Sequence, residues 1–131
     1  RMKQHEQNAA ALVELLSNHP KISHVYYPGL KHHPSHDIAR KQQNGFGGML
    51  SFEIKNGLSE VKKFVDSLKI LSLAGSLGGF ESLVGHPYTM THAALSAAQK
   101  KEIGIKKNLI RISAGLENTE DLLDAVKKAL N

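Results

Sequence analysis

The sequence predicts an α+β fold in which a small, mainly antiparallel sheet is covered on one face by helices. Apolar residues recur at helical spacing near both ends and in the middle of the chain. Short strand-like runs lie between these segments, and one of them alternates apolar and polar residues. The 131 residues suit one domain, since single domains commonly contain about 50 to 200 residues. The second face of the sheet, or one of its edges, is then free to meet another domain.

The first half of the chain predicts two helices and two strands. The opening helix ends before Pro20, and its apolar positions are spaced i, i+3, i+4 and i+7: Ala9, Leu12, Val13 and Leu16. The run SHVYYPGL predicts a strand that ends at the turn Pro28-Gly29, and HHPSHDIARKQ predicts a loop and a short helix. In MLSFEIK, residues 49–55, apolar and polar side chains alternate, which is typical of a half-buried strand.

The second half predicts three more helices and two more strands. Ser59 is placed to cap a helix, and the apolar positions of that helix are Val61, Phe64, Val65 and Leu68. The strand ILSL follows at 70–73, and SAAQKKEIG predicts a short helix closed by Gly104. After the strand LIRIS at 109–113, Asn118 is expected to cap the last helix, which has an acidic first turn and a basic end.

The segment 76–92, SLGGFESLVGHPYTMTH, is predicted to be a loop that binds an anion. Its glycine pair and its proline turn place hydroxyls and a histidine around exposed backbone amides. Gly78 and Gly79 predict a turn with positive φ. Such a turn can be merely structural. Alternatively, the strand end before it can offer Ser76 and its neighbouring amides to a carboxylate.

Arg111 interrupts the apolar strand LIRIS. Because side chains alternate along a strand, Ile110 and Ile112 are expected to face the helices and Arg111 to face away from them. A guanidinium in an apolar run needs a carboxylate or phosphate partner. From the residues alone, a salt bridge to a neighbouring surface and a bound ligand are equally open.

Composition argues against several other functions. The net charge is +5, but the paired lysines have no interleaved aromatic residues, so no nucleic-acid partner is predicted. Pro34 interrupts the cluster His32, His33 and His36, and the chain has no cysteine, so no metal site is predicted. No apolar run reaches the roughly 18 to 20 residues of a membrane span, and no apolar leader opens the chain. We therefore expect no membrane partner and a cytoplasmic location.

Four segments in one collinear order cover nearly the whole chain: RMKQHEQNAAALVELL, VYYPGLKHHPSHDIARKQQNGFGGMLSFEIK, SLAGSLGGFESLVGHPYTMTH and LIRISAGLENTEDLLDAVKKAL. Together they resemble the C-terminal domain of the pyridoxal-phosphate (PLP) enzymes of cysteine and methionine metabolism. These enzymes are cystathionine γ-synthase, cystathionine β- and γ-lyases and methionine γ-lyase. The resemblance implies that residues 1–131 form the C-terminal small domain of a fold-type I PLP enzyme.

The resemblance also implies a cofactor and partners. Full-length members bind PLP through a lysine of a Ser-x-Thr-Lys motif in an N-terminal domain, and they assemble as homotetramers. They act on sulfur amino acids in trans-sulfuration, as lyases or transferases, by β- or γ-elimination or γ-replacement. No lysine of this chain follows a threonine. The N-terminal PLP-lysine domain is therefore expected to be absent, together with every catalytic and cofactor-binding residue, and the isolated chain is expected to be inactive and at most weakly associated.

For the site itself, the resemblance implies that Arg111 of the R-x-S-x-G segment clamps the α-carboxylate of the substrate. Ser76 and Leu77 of SLGG complete that pocket, and Gly75 and Thr91 line it, although a purely structural role for the Thr91 hydroxyl is equally open. Many γ-specific members carry glutamate where this chain has Gly75, so the reaction types are not ranked. A stand-alone amino-acid-sensing module and a protein-interaction module are the alternative functions.

The missing lysine motif predicts that the isolated chain forms no covalent adduct with PLP. After mixing with PLP and dialysis, the purified protein should show no absorbance band near the visible edge, and borohydride should trap no modified lysine. A stable, stoichiometric adduct at one lysine would contradict the expectation that the cofactor is held by another domain.

Overall fold

A computed structural model describes all of residues 1–131 and contains five helices and five strands. The helices are Met2–Ser17 (α1), His36–Gln42 (α2), Leu58–Ser67 (α3), Ala97–Glu102 (α4) and Thr119–Leu130 (α5). The strands are Ile22–Tyr26 (β1), Met49–Ile54 (β2), Ser72–Leu73 (β3), Leu83–Gly85 (β4) and Leu109–Ser113 (β5). No helix is both long enough and apolar enough to cross a membrane.

The strands form one sheet in the order β1-β2-β5-β4-β3. β5 is antiparallel to both of its neighbours and β1 is antiparallel to β2, whereas β3 runs parallel to β4. The sheet is therefore mixed, and the prediction of a mainly antiparallel sheet is corrected. The cause is the loop 74–82, which carries the chain back to the end at which β3 began, so β4 follows in the same direction. β4 itself lies inside the segment that the sequence predicted to be a loop.

The three longest helices and one face of the sheet enclose a single core. α1 contacts α5, β1 and β2, and α3 contacts α5. Phe52, Ile110 and Ile112 point from the sheet into this layer and are fully buried. Phe52 meets Phe64 of α3 edge to face, with the ring centroids 5.7 Å apart. The apolar positions of β2 and β5 thus face the core as predicted, but β2 is not simply half-buried, because Glu53 on its opposite face is also buried.

One helix start and one strand differ from the predictions. Asn118 caps α5 as predicted, because its side chain accepts two N–H groups of the first turn, at 2.9 and 3.3 Å. The prediction that Ser59 caps α3 is wrong. That helix begins at Leu58, directly after Gly57, whose φ of +81° suits glycine. Of the predicted strand 70–73, only the last two residues pair with a neighbour.

On the face opposite the core, β2 carries a buried carboxylate, Glu53. It accepts hydrogen bonds from the Tyr26 hydroxyl at 2.5 Å and from Lys106 Nζ at 3.1 Å. Burial raises the pKa of Glu53, but the hydrogen bonds from Lys106 and Tyr26 and the charge of Lys106 outweigh burial, so the pKa lies below its ordinary value. Burial, together with the hydrogen bond to Glu53, raises the pKa of Tyr26 to about 12. Tyr26 of β1, Glu53 of β2 and Lys106, which precedes β5, therefore form one hydrogen-bonded polar network.

The lowered pKa of Glu53 predicts an acid-dependent contribution to stability. Because the folded pKa is below the ordinary value of 4.5, the ionised carboxylate stabilises the fold above that pH, and the contribution is lost as pH falls through the folded pKa. The free energy of unfolding, measured with urea, should differ most between the wild type and Glu53→Gln at about pH 7, and the difference should shrink in acid. Lys106→Met should weaken the same acid dependence. A difference that stays constant down to about pH 3 would refute the account.

Candidate functional site

Arg111 lies at the centre of the sheet on the face opposite the core. Its strand, β5, is the middle strand of the five, and Arg111 pairs with Ser51 on β2 and with Gly85 on β4. Ile110 and Ile112 flank it and are fully buried beneath the helices, so the Arg111 side chain points away from them. The outward direction predicted from the strand period is confirmed. The side chain is half-buried rather than free in solvent.

The Arg111 guanidinium extends across Gly85 to the backbone of the loop 74–82. A Cβ on Gly85 would lie 3.6 Å from Arg111 Nη2, so a larger side chain there would fill the space that the guanidinium uses. Nη2 donates hydrogen bonds to two carbonyl oxygens, that of Gly75 at 3.3 Å and that of Ser76 at 3.0 Å. These bonds orient the planar group without neutralising its charge.

No carboxylate of the chain pairs with Arg111. The ion pairs of the protein lie elsewhere: Arg40–Asp37, Lys63–Glu60 and Lys106–Glu53. The remaining nitrogens of Arg111, Nε and Nη1, donate to no acceptor within the chain. An internal salt bridge is therefore excluded as the role of this arginine. A fixed guanidinium with unused donors can take a carboxylate or phosphate from outside the chain.

The loop beside Arg111 also carries unpaired backbone donors. The N–H groups of Ser76 and Leu77 have no acceptor in the chain, and both residues are exposed. The N–H of Gly78 is already engaged, because it donates to Ser113 Oγ at 2.8 Å. Gly78 has the predicted positive φ, at +76°, but Gly79 does not, so that part of the turn prediction is wrong. Two free amides and a guanidinium thus border the same stretch of loop.

Thr91 approaches this loop from the turn that follows β4. Its Cγ2 lies 3.8 Å from the position that a Cβ would take on Gly75. Its hydroxyl is 2.9 Å from Nδ1 of His92, which gives His92 a local partner. The structure therefore brings together four of the five residues that the sequence singled out: Gly75, Ser76, Thr91 and Arg111.

The side chain of Leu77, the fifth residue, takes a different direction. It is 56% exposed and lines a shallow cleft of about 210 Å³ together with Met2, Met49 and Ser113. An alkyl side chain cannot hold a carboxylate, so any contribution of Leu77 to anion binding comes from its backbone N–H. The sequence could not show whether the side chain or the backbone N–H of Leu77 faces the site, because side-chain direction in a loop follows no fixed period.

Two residues shape the site without having been predicted as part of it, Gly85 and Ser113. Ser113 lies two positions after Arg111 on β5 and so points to the same face, a relation that the strand period already contains. Its hydroxyl was a detectable candidate for that reason. Gly85 faces Arg111 only because β4 pairs with β5. Nothing local in the sequence indicates that pairing.

The histidine cluster is divided among separate contacts. His36 Nδ1 is 2.8 Å from the Pro28 carbonyl oxygen, so that nitrogen is the donor. His33 Nδ1 accepts the N–H of Ser35 at 3.1 Å, and the ring of His32 packs edge-on against a ring of β1. No group of three histidine, aspartate or glutamate side chains is arranged to hold a metal ion.

A family model, similar sequences and a solved structure all relate this chain to one family of enzymes. The family model described as Cys/Met metabolism PLP-dependent enzyme matches residues 1–131. L-methionine gamma-lyase of Fusobacterium nucleatum subsp. polymorphum is 47% identical over 130 residues, and cystathionine beta-lyase of Lactococcus lactis subsp. cremoris (strain MG1363) is 50% identical over 130 residues. The crystal structure of cystathionine gamma synthase from Xanthomonas oryzae pv. oryzae, in complex with aminoacrylate and cysteine, matches with a TM-score of 0.96 and 48% identity.

These matches include almost all of this chain but only part of each relative. Each of the three covers 99% of the chain, whereas the share of the relative is 33% for the methionine gamma-lyase and 34% for the other two. The chain therefore spans about a third of the length of the proteins it matches. The family match runs from the first residue to the last, and the fold agrees with that of a solved member. The chain belongs to the Cys/Met metabolism PLP-dependent enzymes.

Proposed function

We propose that residues 1–131 are the C-terminal small domain of a PLP-dependent enzyme of the cystathionine lyase and synthase type, and that this domain binds the α-carboxylate of a sulfur amino acid. The proposal rests on the hydrogen bonds that Arg111 makes and on the partners that it lacks. This arginine is held by two backbone carbonyls, has no acidic partner in the chain and keeps two nitrogens free. Family membership supplies a substrate class that carries such a carboxylate.

The donors around Arg111 match the needs of a carboxylate. A carboxylate has two oxygens and accepts about four hydrogen bonds, and Nε and Nη1 of Arg111 each offer N–H donors that no group of the chain uses. Ser76 and Leu77 add two unpaired backbone N–H groups on the adjoining loop. Thr91 lines the loop at Gly75, where the absence of a side chain leaves room beside the bound group.

The residues of this chain do not fit the cofactor by themselves. PLP is held through a lysine and supplies an electron sink for reactions at the amino-acid carbon. The groups that surround Arg111 are a guanidinium, hydroxyls and backbone atoms, none of which is a primary amine. In our proposal the cofactor lysine belongs to the remaining two thirds of the full-length polypeptide, as an N-terminal domain, and the assembly is a homotetramer. The role of this chain is then to bind and orient the substrate.

The proposal can be tested in a chimera in which this chain replaces the matching third of the Xanthomonas oryzae cystathionine gamma synthase. Arg111→Lys keeps the charge but loses the planar fork. Truncating one partner of a buried charge pair costs roughly 2 to 5 kcal/mol, and each 1.4 kcal/mol is about tenfold, so kcat/KM should fall about 30- to 4000-fold. Cofactor absorbance should be unchanged.

The control for this substitution is Arg40→Lys, since Arg40 is exposed and forms only a 3.9 Å pair with Asp37. It should leave kcat/KM unchanged. Each variant is assayed on the amino acid and on the same compound with its carboxylate amidated. Arg111→Lys should affect the acid far more than the amide. Equal losses on both substrates would mean that Arg111 has a structural role.

The isolated chain and the chimera also distinguish the alternative functions. Amino-acid binding by the isolated chain, with no need of the rest of the polypeptide, would favour a sensing module. A fully active chimera that is indifferent to Arg111 substitutions would favour a domain that serves chiefly as an interaction surface.

A further inference from the structure

We propose that Ser82 and Glu117 are positioning residues for the carboxylate site, because they fix the loop 74–82 against the segment that follows β5. This inference rests on the proposed function and names residues that support it from outside the pocket. Neither residue touches the guanidinium of Arg111. Their effect is on where the loop carbonyls and amides stand relative to that group.

Glu117 binds Ser82 through both of its carboxylate oxygens. Oε1 accepts the backbone N–H of Ser82 at 2.5 Å, and Oε2 accepts the Ser82 hydroxyl at 2.7 Å. The same hydroxyl oxygen accepts the N–H of Gly115 at 2.8 Å. Ser82 is completely buried, and hydrogen bonds to an ionised group are roughly twice as strong as neutral ones. The end of the loop is therefore tied to the chain directly after β5.

Close backbone contact reinforces this tie. The N–H of Leu116 donates to the carbonyl of Phe80 at 2.7 Å. A Cβ on Gly115 would lie 2.5 Å from that same carbonyl oxygen and 2.5 Å from the carbonyl carbon of Glu81. The loop and the segment 114–117 are thus packed too closely for any side chain at Gly115. A change at Ser82 cannot be absorbed by empty space between them.

The start of the loop is held by the same strand. Arg111 binds the carbonyls of Gly75 and Ser76, and Ser113 accepts the N–H of Gly78. Going along the chain from Arg111 through Ser113 to Glu117, successive side chains bind successive points of one loop. Five residues separate Ser76 from Ser82, so we infer that a displacement of Ser82 alters the geometry at Ser76.

The segment 114–117 is in turn held by hydrogen bonds from side chains of α1. Asn8 of α1 is completely buried and donates to the carbonyls of Gly115 at 3.0 Å and Glu117 at 2.9 Å. His5 Nδ1 is 2.6 Å from the carbonyl oxygen of Ala114. Glu117 is therefore a fixed point to which the loop is attached, and the helix layer sets its position.

A purely structural role for Glu117 predicts a different result from a positioning role. Loss of a structural contact lowers the free energy of unfolding and affects all substrates alike. Electrostatics alone predicts that binding of the carboxylate substrate does not weaken, since removing a negative charge from the domain strengthens or leaves unchanged its attraction for a carboxylate. Positioning alone predicts a selective loss on the substrate that carries the carboxylate.

The test uses the chimeric full-length enzyme and the ratio of kcat/KM for the amino acid to kcat/KM for its amide. Glu117→Gln keeps the shape but loses the charge, and because its amide has only one acceptor oxygen it leaves either the hydroxyl or the backbone N–H of Ser82 without an acceptor. We expect the ratio to fall about tenfold, mainly through KM for the acid. Glu14→Gln, an exposed change that removes the same charge, should leave the ratio unchanged. Ser82→Ala should lower the ratio less, and the double variant should be no worse than Glu117→Gln.

The outcomes are distinct. If Arg111→Lys leaves the ratio unchanged, the proposed function fails and the positioning role fails with it. If Arg111→Lys lowers the ratio but Glu117→Gln behaves like Glu14→Gln, only the positioning role is wrong. If Glu117→Gln does not fold, Ser82→Ala decides, because it keeps the bond from the residue-82 backbone to Glu117 and removes only the hydroxyl. An unchanged ratio in folded Ser82→Ala would then overturn the inference.

Discussion

The two-residue period of β5 is the constraint on which the rest of the site depends. Ile110 and Ile112 are fully buried in the core, so the side chain between them has to point to the opposite face. Because β5 is the middle strand of the sheet, the Arg111 side chain lies between β2 on one side and β4 on the other. A guanidinium placed there is partly desolvated, and its position is set by the central strand of the sheet.

Orientation of the guanidinium comes from backbone rather than from acidic side chains. Two loop carbonyls hold Nη2 of Arg111, and carbonyls carry only partial charge. An acidic partner would have neutralised the group and competed with any incoming carboxylate. The nearby Glu53 is instead occupied by Tyr26 and Lys106. Because Glu53 is bound to Tyr26 and Lys106, the charge of Arg111 is not neutralised, although both residues lie on the same face of the sheet.

The site is assembled from segments that are far apart in the sequence but linked through one stretch of chain. Residues 109–117 form the central strand and its continuation, receive hydrogen bonds from α1 at Ala114, Gly115 and Glu117, and hold the loop 74–82. The helices α1 and α5 and the sheet face that carries Arg111 are therefore connected through this segment. The backbone fold that carries these contacts agrees with that of a solved cystathionine gamma synthase at a TM-score of 0.96.

Local features of the sequence were enough to predict most elements and the direction of Arg111. Helical spacing, the Asn118 cap and the alternation in β2 and β5 depend on residues close in the chain, so they are visible in it. The short strand β4, its parallel pairing with β3 and the approach of Gly85 to Arg111 were decided only by tertiary structure. So was the attachment of Ser82 to Glu117, 35 residues away. The physical reason is that strand direction and pairing are set by contacts between distant segments, which no local period encodes.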